Sequence, residues 1–540
     1  MKLTGFFDVN GFIGKGFAGE SEYPDIEKLL EKMNYLGIER SIAWSIEARD
    51  NNPYTGNKKL IELLASKKEY KDRIIPAFVI TPSMVFEKGV VKDTLAYLKK
   101  HNAVLRIFPA TSRFSMICIE RVLTELKSAN PIVLWSYRDA GNRELDSLQF
   151  VELAKKFPKT KFIVTEVMWG QFTTLLDMMW RAPNIMLDIS WLHMRDAIKI
   201  LCGHFGAERV VFGTGYKSHY GAAIAGLNFA EITDGEKELI AHGNMEKCLG
   251  LKPLRKCCVR EPELLSKKDL WKTLLDGKAI ERVDIIDAHA HSGASTRGWT
   301  FEDRGLEDVE AMRKSSKRLG IKRVFISHHP ALFCDPVEGN LEIENALKGD
   351  DMYSGYFVFN PNYHEKLKAP LLNEFFSRDF FKGFKLLPSY WKVPVTDARY
   401  KGAWEYAGKY KLPILIHTWD DKYNSPAMLK GVVKKYPGAS FLLGHSGGGT
   451  GGRKEAVELA LNNKNVYLEF CGSFTTPADW VDTFREVGPK KVIFGTDGSA
   501  HDQAWELGRF LSIPVPDEKL TPALSSNFAR ILSKARKPRR

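Results

Sequence analysis

Short, almost unbroken apolar runs recur along the whole chain, and longer stretches with a helical spacing of apolar residues separate them. Runs of this kind are typical of strands that are buried on both faces, as in a parallel sheet. The first half contains eight such runs, from Gly5–Phe7 to Arg209–Phe212. The second half contains eight counterparts, which begin at Val283, Arg323, Tyr356, Gly383, Pro413, Ser440, Val466 and Lys491.

The two halves are copies of one another. The segment Leu36–Arg40 recurs as Leu319–Arg323, 283 residues later. Other matches keep an offset between 279 and 283, namely Thr81–Pro82 with Asn360–Pro361, Pro131–Leu134 with Pro413–Ile416, Phe212–Thr214 with Phe494–Thr496, and Asn244 with Asn527. An offset this steady indicates a duplicated domain. Eight strand–helix units per copy predict two tandem (β/α)8 TIM-type barrels of the α/β class. Two doubly wound sheets are the alternative, but no glycine-rich fingerprint follows either first strand.

The predicted boundaries follow from the repeat. Residues 1–251 form the first barrel, residues 252–283 a linker, and residues 284–540 the second barrel. The linker carries Pro253 and Pro262 and then an amphipathic run around Leu270–Trp271, which predicts one helix. We expect its apolar stripe to pack on a barrel.

Composition narrows the function classes. The 540 residues carry a formal net charge of +13, but the basic residues are spread out except in the tail Lys534–Arg540, and no nucleic-acid-binding motif is present. No apolar run is long enough to span a membrane. The N-terminus lacks the pattern of a signal peptide. The seven cysteines show no disulfide or zinc-finger spacing, so we expect reduced thiols in a cytoplasmic protein. Nucleic acid is therefore an unlikely partner.

Chemistry-bearing residues fall at the ends of four predicted strands of the second copy. They are His289 and His291 after strand one, His417 after strand five, His445 after strand six and Asp497 after strand eight. Active sites of these barrels lie at the C-terminal ends of the strands. A single histidine is more often a core residue, but this set predicts a divalent transition metal, with zinc as the first choice and an open position for water.

At these positions the sequence resembles the amidohydrolase superfamily, and within it the amidohydrolase-related group that includes the aminocarboxymuconate-semialdehyde decarboxylase type. The motifs that carry the resemblance are Asp287–His291, Pro413–His417, Leu443–Gly448, Phe494–Asp497 and the closing Asn527–Leu532. The resemblance implies that His289, His291, His417 and Asp497 bind one divalent metal per chain, either zinc or, alternatively, manganese or iron. It also implies that His445 acts beside the metal on the bound water or the substrate.

The implied activity is that of a metal-dependent hydrolase or decarboxylase of a small organic acid, lactone or amide. Two other classes compete with it. A TatD-like nuclease shares the barrel and the first histidine pair, but it expects a glutamate at strand four or five and a different strand-eight motif. A non-catalytic scaffold is disfavoured because the second copy keeps a complete ligand set. Single-barrel relatives often pair, so we expect the two barrels to form an intramolecular pseudo-dimer, with a homo-oligomer as a further possibility.

Four further residues are candidate substrate contacts. Lys385, near the end of strand four, is interpreted as a cation for a substrate anion, with a structural lysine or a carboxylated, metal-bridging lysine as alternatives. Trp391 and Trp419 lie in predicted loops at the top, where they hold a planar substrate or pack the core. Arg453 ends the glycine-rich run Gly447–Gly452, which predicts a flexible loop that offers Arg453 to an anionic group.

The first copy has lost the site. The aligned residues are Asn10 for His289, Phe12 for His291, Trp135 for His417, Glu166 for His445 and Gly215 for Asp497. The two aromatic rings are expected to fill the place of metal and water, so the first barrel is predicted to be non-catalytic. His219 aligns with His501, which favours a shared structural role for this pair, and Arg106 aligns with Lys385.

Overall fold

The protein was analysed as a computed structural model that describes residues 5–17, 21–215, 219–253, 262–293, 307–472, 475–499 and 501–538. The chain divides into two compact units, Met1–Ser266 and Lys267–Arg540. Each unit contains one eight-stranded parallel sheet whose strand order follows the chain. The prediction of two tandem (β/α)8 barrels is therefore confirmed.

The first unit alternates strands with helices. Its strands are β1 Phe6–Ile13, β2 Ile38–Ser45, β3 Ile74–Val79, β4 Val104–Ile107, β5 Ile132–Ser136, β6 Lys161–Thr165, β7 Ile185–Asp188 and β8 Val210–Val211. Its helices are α1 Ile26–Leu36, α2 Ile46–Asp50, α3 Pro53–Ala65, α4 Lys68–Arg73, α5 Val90–His101, α6 Glu120–Leu126, α7 Arg143–Lys156, α8 Phe172–Arg181, α9 Ala197–Phe205, α10 Ala222–Phe229, α11 Asp234–Glu238 and α12 Asn244–Leu249.

The second unit opens with a helix from the predicted linker, α13 Asp269–Leu275, whose Leu270, Trp271 and Leu274 are buried. Its strands are β9 Ile285–Ser292, β10 Ile321–His328, β11 Tyr353–Val358, β12 Phe381–Leu386, β13 Pro413–His417, β14 Ser440–Gly444, β15 Val466–Glu469 and β16 Val492–Ile493. The remaining helices are α14 Glu307–Leu319, α15 His329–Phe333, α16 Pro336–Leu347, α17 Ala369–Ser377, α18 Pro388–Trp391, α19 Lys401–Tyr410, α20 Lys430–Lys435, α21 Thr450–Asn462, α22 Pro477–Val487, α23 Gln503–Leu511, α24 Asp517–Leu524 and α25 Ser526–Leu532.

Strand burial explains the apolar runs. All eight residues of β1 and of β9 are buried, because a barrel strand has side chains inside and helices outside. In the second unit Ala288, Phe325, Leu415 and Leu442 belong to one buried cluster. Among the described residues, no helix is long and apolar enough to cross a membrane.

The same side-chain clasp joins the first and last strands of both barrels. In the first, the Thr214 N–H donates to Asp8 Oδ1 at 3.0 Å, and its hydroxyl donates to Asp8 Oδ2 at 2.5 Å. In the second, the Thr496 N–H donates to Asp287 Oδ1 at 3.0 Å, and its hydroxyl donates to the other oxygen. The clasp links the third residue of the first strand to the segment that follows the last strand, so it holds these two parts of the barrel together.

Candidate active site

The five predicted ligand and acid–base residues gather at one end of the second barrel. His289 and His291 lie in β9, two residues apart, and His417 is the last residue of β13. His445 follows β14 directly, and Asp497 follows β16. His445 and Asp497 both have left-handed backbone conformations, with φ of 64° and 57°.

Three of these residues form a compact group of possible metal ligands. Asp497 Oδ1 lies 3.0 Å from His291 Nε2 and 3.4 Å from His289 Nε2. Two imidazoles and a carboxylate are a donor set that suits a divalent transition metal. Within the described part of the chain, both groups of three or more possible ligands lie in this barrel and share His289.

Hydrogen bonds at the far side of each ring fix the orientation of these histidines. His289 Nδ1 lies 2.8 Å from Glu469 Oε2, and His445 Nδ1 lies 2.9 Å from the carbonyl oxygen of Cys471. Because both neighbours accept hydrogen bonds, each Nδ1 carries the proton and each Nε2 keeps its lone pair. His291 Nδ1 lies 2.8 Å from Ser327 Oγ, a hydroxyl that can accept from this nitrogen or donate to it, so the contact is compatible with the same tautomer. The residues present therefore fit a metal bound at Nε2.

Glu469 is a central residue of the site that the sequence analysis missed. Its two oxygens accept the Cys471 N–H at 2.8 Å and the His445 N–H at 3.2 Å, besides the bond to His289. Together with Cys471, His289 and His445 it forms the second group of possible ligands. Glu469 is the last residue of β15, so its position at a strand end was a signal that sequence alone offered.

The electrostatics of the site favour neutral imidazoles around an ionised carboxylate. Burial lowers the pKa of His445 to about 4 and lowers the pKa values of His289 and His417 well below the usual histidine range. Burial also opposes the ionisation of Asp497, but the surrounding histidines outweigh it and hold the pKa of Asp497 well below its ordinary value. Neutral imidazole and ionised carboxylate are the forms that bind metals.

Lys385, the last residue but one of β12, reaches the same place from the strand-four side. Its Nζ lies 2.6 Å from His289 Nε2, and the side chain is fully buried. Burial lowers the pKa of Lys385 to about 8, against the attraction of Asp497. A metal and the lysine ammonium cannot use the same lone pair, so metal binding at His289 requires Lys385 to leave this nitrogen.

His417 stands apart from the His289–His291–Asp497 group. Its ring centroid is 4.7 Å from that of His445, and its ring is stacked on Trp419 at 5.8 Å with an interplanar angle of 4°. Tyr390 meets the other side edge-on at 5.4 Å. Trp419 therefore lies against the site. Gly448 packs on the Trp419 ring so closely that a Cβ added at Gly448 would lie 2.5 Å from it.

Aromatic rings continue around the mouth from β9 to β13. The ring of His329 is stacked on His291 at 5.3 Å, and Phe333 follows at 5.7 Å from His329. Phe333 in turn lies 5.9 Å from Tyr390, which contacts His417. The sequence analysis did not single out Phe333 and Tyr390, because single aromatic residues in short helices carry no distinctive pattern.

Trp391 and Arg453 have packing roles. The Trp391 indole donates to the carbonyl oxygen of Leu332 at 2.8 Å, and its ring packs against a buried apolar cluster. These contacts favour core packing, one of the two roles that the sequence offered for Trp391. The prediction that Arg453 lies in a flexible loop is wrong. It lies in the first turn of α21, where it donates to Thr483 Oγ1 at 3.1 Å and pairs with Asp479 and Glu486 of α22 at 3.6 and 3.7 Å. Gly447, Gly448 and Gly449 precede this helix, and Gly451 and Gly452 lie in its first turn.

His501 lies behind Asp497, between two carboxylates. Its Nε2 is 3.8 Å from Asp497 Oδ2, and its Nδ1 is 3.1 Å from Glu506 Oε1. Burial by itself lowers the pKa of His501, but the two carboxylates outweigh it and raise the pKa above the ordinary histidine value.

The equivalent place in the first barrel required one correction to the alignment. Arg106 pairs with Leu134 across the sheet as Lys385 pairs with Leu415, so His417, two residues after Leu415, corresponds to Ser136. The alignment of His417 with Trp135 is therefore wrong by one residue. A shift of one residue moves a side chain to the other face of a strand. Trp135 accordingly points away from the barrel interior, towards the helices, and its ring centroid lies 5.0 Å from that of Phe150 in α7.

The other equivalences hold. Glu166 follows β6 with a φ of 62°, as His445 follows β14 with 64°. The Asn10 N–H donates to Asp8 as the His289 N–H donates to Asp287. The ring centroid of Phe12 lies 4.9 Å from that of Tyr23 and 5.8 Å from that of Trp44. Phe12 therefore makes aromatic contacts in the place where His291 has a hydrogen-bonding partner, Ser327. The Ser136 hydroxyl donates to Glu166.

A nearly closed (β/α)8 barrel with histidines and an aspartate at its strand ends is the arrangement that is typical of metal-dependent hydrolase barrels. The amidohydrolase family model matches residues 81–251 and 286–534. The chain therefore belongs to the amidohydrolase family, in both of its halves, and is an enzyme of that family. The comparison with curated proteins gave no match.

Three solved structures are each similar to somewhat less than half of this chain. A dihydroxybenzoic acid decarboxylase from Polaromonas with bound manganese is 15% identical, covers 46% of this chain and 97% of its own, and has a TM-score of 0.38. A probable 2-pyrone-4,6-dicarboxylic acid hydrolase from Acinetobacter baumannii is 14% identical, with 46% and 100% covered and a TM-score of 0.37. An uncharacterised TIM-barrel protein from Bordetella bronchiseptica is 17% identical, with 47% and 99% covered and a TM-score of 0.40.

Proposed function

We propose that the second barrel is a metal-dependent hydrolase or decarboxylase of a small organic acid. The observation that carries the proposal is the convergence of three possible ligand atoms. Asp497 Oδ1 lies 3.0 Å from His291 Nε2 and 3.4 Å from His289 Nε2. His417 is proposed as a further ligand from the family resemblance. A divalent metal bound there, with zinc as the first choice and manganese or iron as alternatives, supplies a Lewis acid for an oxygen atom.

His445 is the proposed acid–base residue. Its Nδ1–H is held by the Cys471 carbonyl, which leaves Nε2 with its lone pair, and its ring centroid lies 5.0 Å from that of His289 and 4.7 Å from that of His417. Burial lowers its pKa to about 4, so the ring is a neutral base at physiological pH. It can accept a proton from water or substrate and return it to the leaving group.

Lys385 is the proposed contact for the substrate carboxylate. It is buried beside the site, and it must give up His289 Nε2 when that nitrogen binds a metal. An ammonium released in this way needs another acceptor, because an unpaired buried charge is costly. A carboxylate placed between Lys385 and the metal satisfies this need and directs the rest of the substrate towards the mouth.

The aromatic rings at the mouth indicate the shape of the substrate. Trp419, Tyr390 and Phe333 form apolar walls, and His329 closes the wall towards His291. Flat walls of this kind favour a planar acid, since stacked rings gain contact area without ordering flexible chains. Both a planar carboxylic acid that is decarboxylated and a planar lactone that is hydrolysed meet these requirements.

The first barrel is proposed to be non-catalytic. Asn10, Phe12, Ser136 and Gly215 replace the four proposed ligands, and none of these side chains provides an imidazole or a carboxylate. Glu166 stands in place of His445 and is engaged by Ser136. We infer that the first barrel is retained for its fold.

The experiment is a reconstitution. The metal-depleted chain is loaded with Zn²⁺, Mn²⁺ or Fe²⁺ and incubated with a panel of aromatic carboxylic acids and lactones, with carbon dioxide release and acid production as separate readouts. Metal-dependent turnover of one class supports the proposal. Metal-dependent cleavage of single-stranded DNA supports the nuclease alternative instead. The absence of metal binding contradicts both and leaves a scaffold.

A further inference from the structure

Helix α23 places three polar side chains on one buried face. Gln503, Glu506 and Arg509 are three residues apart, so they line one side of the helix. All three are at most 3% exposed. Burial of charged groups is costly unless they are paired, and a buried ion pair is commonly no more stabilising than apolar residues of the same volume. Packing alone therefore gives no reason for this stripe.

Glu506 is the member of the stripe that connects to the candidate active site. Its Oε1 accepts the Gly472 N–H at 3.0 Å and lies 3.1 Å from His501 Nδ1, while Oε2 accepts from Arg509 at 2.7 Å. A carboxylate at Nδ1 keeps the proton on that nitrogen and fixes the ring plane. His501 Nε2 is thereby held 3.8 Å from Asp497 Oδ2, the oxygen opposite the one that faces His289 and His291.

The first barrel shows what the fold needs at these positions. Its helix α10 corresponds to α23 at the offset that relates His219 to His501, which places Ile224 at Glu506 and Leu227 at Arg509. Every residue of α10 is buried. At these two positions the helix of the first barrel is therefore apolar, and the ion pair is absent from the copy that has Gly215 in place of Asp497. The stripe accompanies the ligand carboxylate and is not required by the fold.

We propose that Glu506, held by Arg509, is a positioning residue for the metal site: it fixes His501 against Asp497 and so fixes the direction in which this carboxylate presents its other oxygen. This inference rests on the proposed metal site. Glu506 does not touch the substrate in this assignment; it acts through His501. Positioning groups behind metal ligands typically contribute about 10–100-fold in metal affinity.

The test compares two full-length variants with the wild-type chain. Glu506→Gln keeps the shape and removes the charge, and the double variant Glu506→Ile/Arg509→Leu copies the first barrel and leaves no unpaired arginine. The Kd for Mn²⁺ is measured on metal-depleted protein, the visible spectrum is recorded with Co²⁺, and thermal unfolding is followed without metal. Glu344→Gln is the matched control, because Glu344 is a buried carboxylate of α16 that pairs with Arg378 at 2.8 Å.

For the double variant we expect an Mn²⁺ Kd about 10–100-fold higher, an altered Co²⁺ spectrum and an unfolding temperature without metal no lower than that of the wild type. Wild-type affinity and spectrum in the double variant would overturn the inference, and so would equal weakening in Glu344→Gln. A wild-type chain that binds no Mn²⁺ at all would instead overturn the proposed function on which the inference rests.

Discussion

Asparagine in place of His445 separates proton transfer from metal binding. The backbone at this residue has a φ of 64°, a conformation that asparagine adopts more readily than most side chains, so the exchange adds little strain. The shorter amide can still donate to the Cys471 carbonyl, which now accepts from Nδ1 at 2.9 Å. The imidazole Nε2 and its ability to carry a proton are lost.

The expected effect on turnover is large and the effect on the metal is small. General acid–base catalysis contributes about 10²–10⁴-fold, so kcat should fall by that factor, which corresponds to roughly 3–5 kcal/mol in the barrier. The three mutually close ligand atoms belong to His289, His291 and Asp497, so the metal content should stay near that of the wild type. Asp497→Asn also suits its backbone, with a φ of 57°, but it removes the ligand charge and should lower both kcat and metal retention.

The assay pairs steady-state kinetics on the best substrate of the panel with elemental analysis of the same preparations. Glu166→Gln in the first barrel is the control, because Glu166 occupies the place of His445 there with nearly the same backbone. Turnover should be unchanged in this control. The reasoning is refuted if His445→Asn loses the metal while Asp497→Asn keeps it, since the two roles are then exchanged. It is also refuted if a folded Glu166→Gln variant is inactive.

Three further predictions follow from single features. Elemental analysis should find about one tightly bound divalent metal per chain; two metals in the second barrel would favour a carboxylated Lys385, and metal in the first barrel would contradict its loss of the site. Arg453→Gln should lower the free energy of unfolding by roughly 1–3 kcal/mol through its lost partners on α22, with kcat unchanged, which denaturant unfolding and kinetics check together. Gly448→Ala should cost about 1–2 kcal/mol, since Gly448 has a φ of 76°, and should raise KM by moving Trp419. Gly431→Ala is its control, because a Cβ there meets nothing within 4 Å.

Sequence reasoning predicted the barrels and the position of the site because both rest on repeated local patterns. Apolar runs report strands that are buried on both faces, and the last residue of such a run lies at the edge where ligands meet. His417 and Asp497 were found in this way. Glu469 carries the same signal at the end of β15 and was missed, because a single acidic residue at a strand end has no second feature that separates it from a solvated one.

Register could not be predicted across the two copies. The match of Pro131 with Pro413 placed Trp135 inside the first barrel, whereas the sheet pairing places Ser136 there. Insertions in the loops change the offset between copies by up to four residues, and a change of one reverses the face of every side chain in a strand. Long-range contacts, such as the one between the Gly472 N–H and Glu506, depend on three-dimensional packing that a pairwise alignment does not contain. The same is true of the contacts between Arg453 and α22.

The aspartate–threonine clasp that closes both barrels contains none of the proposed ligands. Because this clasp does not depend on the residues at the strand ends, those residues can change without loss of the barrel. A duplicated copy can therefore lose its chemistry and keep its fold. The same independence makes the first barrel a host for redesign. Gly215 has a φ of 81°, in the left-handed region that Asp497 also occupies, so the backbone of the first copy already has a positive φ where the second copy has the aspartate. Histidine at Asn10, Phe12 and Ser136 with aspartate at Gly215 would restore the proposed ligand set in the first barrel. Ser190, Trp191 and Glu166 would have to give way, because a Cβ at Gly215 would meet them at 3.2–3.3 Å.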